Sequence, residues 1–298
     1  MGISSHHPDC YGLPCPRHYA MELVPTTYWR YRLGICRLAL ERESNYTKLC
    51  TTVPNYYSRT NILMAKLIAF GDSFTWGSDM GDTMRIEEFR QKYANSSIRY
   101  HSMYSRRTWQ KHLADSLDMD YKCLAQEGCS NQTIHRRFFE ALPLISPDDV
   151  VSINFTWRDR HDFYDGKKWN TIRPSGTEDN PQTKLYYKHF QDPNQDQIES
   201  LTLLNNIIDC LELRGCTKYV VTCVDALMYN DPHHSSLEVI KALQNCHNDK
   251  ITWFDGKGFY QWAQDNNYPI SPMWHPLEEA HLAGFRMLQE AGAFNELT

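Results

Sequence analysis

One short stretch of the chain carries a residue that could attack a carbonyl. The apolar run "KLIAF" ends at Gly-Asp-Ser, and Ser73 is the last of these three residues. A serine between a strand and a helix presents its hydroxyl at the edge of a sheet, where backbone N–H groups of the turn can stabilise an oxyanion. The hydroxyl needs a base within hydrogen-bond reach to act as a nucleophile. Because Gly, Asp and Ser are also common turn residues, a capped turn is the better explanation of this stretch taken alone.

Two further stretches give Ser73 a context. The segments "IAFGDSFTWG", "AQEGCSNQTI" and "HPLEEAHLAGF" follow one another along the chain. In this order and spacing they resemble the SGNH (GDSL-type) hydrolase family, in particular its small intracellular and phage-type members. The resemblance covers about residues 64–298. It implies that Ser73 is the nucleophile, that His275 is the base, and that the N–H groups of Ser73 and Gly128 form an oxyanion hole.

The third block of the family, usually Gly-x-Asn-Asp, is not matched. The chain has "INFTWRDR" there, which is closer to a variant with Trp, Thr and Arg. Asn154 and Thr156 are the candidate side-chain donors to the oxyanion, and Arg160 is a further candidate at this site. Asn154 is equally well explained as a polar residue that ends a strand.

The last block departs from the family in the residue that matters most for the mechanism. The family usually has Asp three residues before the histidine, where it orients the imidazole and stabilises its positive charge. This chain has Pro272 at that position. Three alternatives remain: a backbone carbonyl near Ser271 or Pro272, another acid such as Asp255 or Asp265, or an inactive site. For Asp72 we expect a role in forming the turn or supporting the oxyanion loop.

The elements that must position these residues alternate between strand and helix. The strand patterns are "KLIAF", "YKCLA", "DDVVSINF", "KYVVTCV" and "KITWF", and amphipathic helix patterns separate them. This alternation predicts an α/β three-layer sandwich, flavodoxin-like, with a mostly parallel five-stranded sheet flanked by helices. We expect the last helix pattern to have Pro276 in its first turn.

Three regions interrupt or precede this pattern. Insertions near residues 78–105 and 158–193 are rich in Tyr, Arg, Asp and His, and they are either substrate loops or solvated surface loops. Residues 1–63 show no sustained periodicity and lie outside the resemblance. We expect them to be an extension that is disordered or not a true domain, and "MAKLIAFGDS" to be a natural start at Met64.

Composition excludes several classes of function. The net charge of −5, with the acidic excess after residue 63, argues against a nucleic-acid partner. No apolar run is long enough for a membrane span, and the N-terminus is a poor signal peptide. Ten cysteines without zinc-site spacing favour reduced thiols, a cytoplasmic location and no metal.

We therefore predict a serine esterase or lipase-like hydrolase that acts on a small acyl ester or an acetylated carbohydrate and needs no cofactor. The alternative is a catalytically inactive binding or structural protein with the same fold, for example in a virion. The sequence does not indicate an oligomeric state.

Overall fold

The computed structural model describes residues 65–84, 86–92, 103–174, 181–226, 229 and 237–297. Leu63–Thr298 form one compact unit. The predictions for residues 1–63 and for a start at Met64 concern residues outside those described. Part of the predicted insertion at 78–105 also lies outside them.

The centre of the molecule is a parallel sheet. Its strands are β1 (Lys66–Phe70), β2 (Asp120–Cys123), β3 (Val150–Phe155) and β6 (Tyr219–Cys223), and a separate antiparallel hairpin contains β4 (His161–Tyr164) and β5 (Trp169–Ile172). The sheet has the order β2-β1-β3-β6, with all neighbouring strands parallel. Because the strands are parallel, their carboxyl ends meet at one edge, which is where Ser73, Gly128 and Thr156 follow β1, β2 and β3.

The predicted fifth strand is reduced to a single bridge, so the sheet among the described residues has four strands rather than five. Ile251 pairs with Val221 in parallel, and the N–H of Thr252 donates to the Val221 carbonyl at 2.7 Å. The pairing ends there because the Phe254 backbone closes a tight turn with Lys257.

Nine α-helices surround the sheet in the described part of the chain. They are α1 (Ser73–Trp76), α2 (Ile86–Lys92), α3 (Trp109–Ser116), α4 (Asn131–Ala141), α5 (Pro181–His189), α6 (Pro193–Leu213), α7 (Glu238–Cys246), α8 (Phe259–Asp265) and α9 (Glu278–Glu290). Helices α4, α6 and α7 contribute to the core on one sheet face, and α3, α8 and α9 contribute to the core on the other. The predicted three-layer α/β class is confirmed.

Side chains of β1 show how the sheet separates the two cores. Ile68 and Phe70 belong to the core beside α4 and α6, whereas Leu67 and Ala69 belong to the core beside α3 and α9. All four are essentially inaccessible to solvent. A strand covered on both faces reads as a continuous apolar run, as "KLIAF" does.

Local signals explain where the helices begin and end. The Asp192 side chain caps α6 by accepting from the N–H groups of Asn194 and Gln195, Pro193 occupies its first turn, and Gly215 (φ 72°) follows its end. The last helix begins later than predicted, at Glu278. Pro276 is outside it, because it bridges to Ile270 and the N–H of Leu277 donates to the Pro269 carbonyl.

The predicted insertion at 158–193 contains the β4–β5 hairpin and α5. Within the described ranges, no helix is long and apolar enough to cross a membrane. In the same ranges, no group of three His, Cys, Asp or Glu side chains could hold a metal ion.

Candidate active site

Ser73 follows β1 in a turn whose shape depends on its neighbours. The Asp72 carboxylate accepts from the N–H of Phe74 at 3.0 Å, which caps the short helix α1 that Ser73 begins. Gly71 leaves no room for a side chain, since a Cβ there would lie 2.2 Å from Thr75 Oγ1. The tight turn therefore places the Ser73 hydroxyl, which is 4% exposed as a residue, at the carboxyl edge of the sheet.

His275 meets Ser73 from the other end of the chain. Its Nε2 lies 2.9 Å from Ser73 Oγ. The loop that carries it is closed by two backbone hydrogen bonds, Ser271 N–H to the His275 carbonyl at 2.8 Å and Trp274 N–H to the Ser271 carbonyl at 2.9 Å. Trp274 has φ 70°, an unfavourable region for a bulky residue. The two principal residues of the predicted site are thus within hydrogen-bond distance.

The acid beside His275 is Asp79, which the sequence did not indicate. His275 Nδ1 lies 2.8 Å from Asp79 Oδ2, and the Ser271 hydroxyl donates to the same oxygen at 2.8 Å. Asp79 itself has φ 65°. The carboxylate beside His275 thus comes from the segment after α1 and not from the loop before the histidine, where Pro272 stands in the position of the family's Asp.

The two acids proposed from the sequence lie in other contacts. Asp265 makes an ion pair with Lys257 at 2.7 Å, and Asp255, with φ 52°, stands in the turn that closes after Phe254. Neither of them is the carboxylate beside His275, which belongs to Asp79. The hydrogen bond of His275 Nδ1 goes to this carboxylate and not to a backbone carbonyl near Ser271 or Pro272.

Gly128 lies in a turn that packs against the Ser73 turn. The N–H of Gln126 donates to the Gly71 carbonyl at 3.0 Å, and the thiol of Cys129 donates to the same carbonyl at 3.5 Å. Gly128 has φ 66°, which favours glycine. Burial, together with the charge of Asp72, raises the pKa of the Cys129 thiol well above its ordinary value, so this neighbour is not a thiolate nucleophile.

Asn154 and Thr156 differ in whether their side chains still have a hydrogen-bond donor to offer. Asn154 is buried in β3, where Oδ1 accepts from the Thr222 hydroxyl at 2.9 Å, and its Nδ2 has no hydrogen-bond partner among the described residues. The Thr156 hydroxyl is already used, because it donates to Asp72 Oδ2 at 2.7 Å. The Asn131 side chain binds both the N–H and the carbonyl of Thr156.

Asp72 joins the turns that follow β1, β2 and β3. Its Oδ2 accepts from Arg160 Nη1 at 3.1 Å, and the same Nη1 donates to the Cys129 carbonyl at 3.0 Å. The Arg160 guanidinium also lies over the Trp157 ring, 4.6 Å from its centroid. Asp72 is fully buried, so its charge is compensated by Arg160, Thr156 and the Phe74 N–H rather than by water.

Aromatic rings surround the imidazole. Phe74 meets His275 edge to face at 5.4 Å between ring centroids and Trp157 at 5.2 Å, and Tyr260 lies between Trp157 and Trp274. Trp274, in the loop that carries His275, is 64% exposed. It extends an apolar surface from the imidazole towards solvent.

A cavity of about 440 Å³ lies on the Asp79 side of these residues. Its walls include Trp76, Met80, Glu127 and Leu277 in addition to Asp79. The Ser78 hydroxyl donates to Glu127 at 2.5 Å, so this carboxylate is directed towards the Asp79 side of the turn.

Comparisons with known proteins find solved structures of low sequence identity to this chain. No protein-family model and no curated protein sequence matches the chain. One similar solved structure is a member of the lipolytic protein G-D-S-L family from Veillonella parvula, 18% identical over 76% of this chain and 97% of that one, with a TM-score of 0.39.

Two further solved structures are similar to about the same degree. The lipase Lip_vut3 from a goat rumen metagenome is 15% identical over 78% of this chain and 100% of that one, with a TM-score of 0.40. A carbohydrate esterase family 2 enzyme from Corynascus thermopiles is 14% identical over 76% of this chain and 65% of that one, with a TM-score of 0.43.

Proposed function

We propose that this protein is a serine hydrolase that cleaves carboxylic esters. The observation that carries the proposal is the continuous chain of hydrogen bonds from Ser73 Oγ through the His275 imidazole to the Asp79 carboxylate. A nucleophile, a base and an acid that orients the base are the parts that acyl transfer to serine requires.

The steps of the reaction follow from these positions. His275 Nε2 takes the proton of Ser73 Oγ as that oxygen attacks the ester carbonyl, and Asp79 stabilises the resulting imidazolium. The N–H groups of Ser73 and Gly128 hold the oxyanion, with Asn154 Nδ2 as a candidate third donor. His275 then protonates the departing alcohol, and an acyl group remains on Ser73.

The second half of the reaction restores the enzyme. Water attacks the acyl carbonyl while His275 takes its proton, and the tetrahedral intermediate collapses to release the carboxylic acid. The proton returns from His275 to Ser73 Oγ. Thr156 and Arg160 act indirectly, because they hold Asp72 and so the turns that carry Ser73 and Gly128.

For the substrate we keep the class indicated by the sequence, a small acyl ester or an acetylated carbohydrate. The exposed Trp274 and the half-buried Trp157 and Tyr260 offer flat apolar surfaces beside the imidazole, and such surfaces bind acyl chains or the faces of sugar rings. The names of the similar structures, which include lipases and a carbohydrate esterase, are compatible with either substrate.

The rival hypothesis, an inactive binding or structural protein, has two supports in the sequence, the missing acid at Pro272 and the unmatched Gly-x-Asn-Asp block. Asp79 at hydrogen-bond distance from His275 supports the enzyme instead. A cytoplasmic location stays a prediction.

Labelling with a fluorophosphonate probe tests the proposal, because the probe forms a covalent bond only with an activated serine. We expect labelling of the wild-type protein, none of Ser73→Ala and strongly reduced labelling of His275→Ala. Ser116→Ala is the matched control, since that hydroxyl binds the Leu113 carbonyl within α3. If folded wild-type protein is neither labelled nor able to hydrolyse 4-nitrophenyl acetate, the proposed function is wrong.

A further inference from the structure

An arginine lies directly against the glycine that we assign to the oxyanion hole. Arg173 follows β5 and is exposed to solvent. A Cβ built on Gly128 would be 2.9 Å from Arg173 Nη1 and 3.8 Å from its Cζ, so the guanidinium covers the Cα of Gly128. A full positive charge therefore lies beside the residue whose N–H we assign to the oxyanion hole.

This charge has no partner among the residues that the structure describes. Two other arginines near the site are neutralised, Arg160 by Asp72 at 3.1 Å and Arg136 by Asp162 at 3.1 Å. By contrast, Arg173 has no hydrogen bond or ion pair with any residue in the ranges that the structure describes. An arginine held beside a reactive group without a carboxylate is free to bind an anion from solution.

A second arginine contributes positive charge to the same turn. Arg137 Nη1 donates at 2.8 Å to Gln126 Oε1, which is uncharged and does not neutralise the guanidinium. The N–H of Gln126 in turn donates to the Gly71 carbonyl. The Glu127 carboxylate, next to Gly128 in the sequence, accepts from the Ser78 hydroxyl and lines the cavity beside Asp79. The site is thus cationic on the Gly128 side and acidic on the Asp79 side.

We infer that Arg173 is a specificity-determining residue, and that the substrate is an ester with an anionic group close to its scissile carbonyl. This inference rests on the proposed function. A carboxylate is the group that a guanidinium binds best, because two parallel N–H donors can meet its two oxygens. The anionic group belongs to the acyl part or to the alcohol part of the ester, and the test separates these two cases.

The test uses pairs of esters that differ in one carboxylate. For the acyl side the pair is 4-nitrophenyl hemisuccinate and 4-nitrophenyl butyrate, and for the alcohol side it is acetylsalicylate and phenyl acetate. The quantity compared is the ratio of kcat/KM for the anionic ester to kcat/KM for its neutral partner. In the wild-type enzyme we expect this ratio to exceed 1 for one of the two pairs.

Substitution of Arg173 should lower the ratio of kcat/KM values for that pair of esters. We expect Arg173→Met to lower it about 10- to 100-fold, mainly through a higher KM for the anionic ester, and Arg173→Lys to retain part of it. Arg214→Met is the matched control, because it also removes an exposed arginine. Arg214 lies between the end of α6 and the start of β6, so it is at the amino edge of the sheet, opposite the site. Its ratio should equal that of the wild type.

Salt and the neutral esters give independent readouts. High salt should reduce the wild-type ratio but not that of Arg173→Met, since only a charge interaction is screened.

If Arg173→Met lowers kcat/KM equally for both members of each pair, Arg173 acts on the oxyanion and the inference is wrong although the proposed function stands. If the wild type prefers the neutral esters in both pairs, the inference is also wrong. Absence of all hydrolysis and of phosphonate labelling contradicts the proposed function and the inference together.

Discussion

At the scale of single residues, the notable feature is where the acid comes from. Asp79 and His275 are 196 residues apart in the chain, yet Asp79 belongs to the segment that follows the nucleophile itself. In the proposed mechanism, one stretch after β1 therefore supplies both the attacking hydroxyl and the carboxylate, and the loop before α9 supplies the base. The Ser271 hydroxyl, on that loop, holds the carboxylate in place.

The assignment of Asp79 predicts a large kinetic effect for Asp79→Asn. An amide in place of the carboxylate favours the wrong imidazole tautomer and no longer stabilises the imidazolium. We expect kcat on 4-nitrophenyl acetate to fall about 10²- to 10⁴-fold, as the loss of the acid does in comparable triads. Asp265→Asn is the control, because its ion pair with Lys257 is exposed, and its kcat should stay within about twofold of the wild type. A kcat for Asp79→Asn close to that of the control would contradict the assignment.

At the scale of elements, the site depends on three turns at the carboxyl edge of the sheet. Asp72 joins them, since its carboxylate binds the start of α1, the Thr156 hydroxyl after β3, and Arg160, which in turn holds the Cys129 carbonyl after β2. Parallel strands bring these turns together, but a buried charge network sets their mutual positions.

We expect Asp72→Asn to lower the free energy of unfolding by about 3–5 kcal/mol, because it leaves the largely buried Arg160 without its counter-charge. Urea denaturation measures this change. The exposed pair Lys241–Glu238 provides the comparison, and Glu238→Gln should cost less than about 0.5 kcal/mol. The double variant Asp72→Asn with Arg160→Met should recover part of the loss. A cost below 1 kcal/mol for Asp72→Asn would show that the network is not needed to hold the turns.

At the scale of the whole molecule, a buried histidine between α9 and α3 makes the stability of the fold depend on pH. His281 on α9 is 1% exposed, and its Nδ1 accepts the N–H of Trp109 at the start of α3. Burial lowers its pKa from 6.5 to about 3, and the nearby His112 and His275 act in the same direction. The structure thus places His281 in the core.

This position predicts a loss of stability in mild acid. Because the folded pKa lies below the unfolded value, the unfolded chain binds more protons between pH 6.5 and 3, so the free energy of unfolding falls as pH falls through that window. Between pH 7 and pH 5 this one group should cost about 2 kcal/mol. His281→Asn keeps an acceptor for the Trp109 N–H but does not titrate, so its urea-derived stability should decline by about 2 kcal/mol less over the same range. Equal declines in both proteins would refute this explanation.

The sequence alone determined the features that depend on neighbouring residues. The apolar run of β1, the Gly-Asp-Ser turn, the Asp-Pro start of α6 and the Gly after its end all act locally, and each appears in the structure. The order of the motifs also predicted that Ser73 and His275 would meet, as they do. The roles of Gly128 and Asn154 in the oxyanion hole stay predictions.

Only the tertiary structure decided which charges meet. Asp79, Asp255 and Asp265 are equivalent as residue types, and nothing in their spacing from His275 indicates which one the fold brings to Nδ1. The position of Arg173 on Gly128 depends in the same way on how the β4–β5 hairpin lies beside the turn after β2. Pairings between distant segments follow from the packing of whole elements, whereas caps, turns and buried strands follow from interactions a few residues apart, and this is why the sequence predicted the latter and not the former.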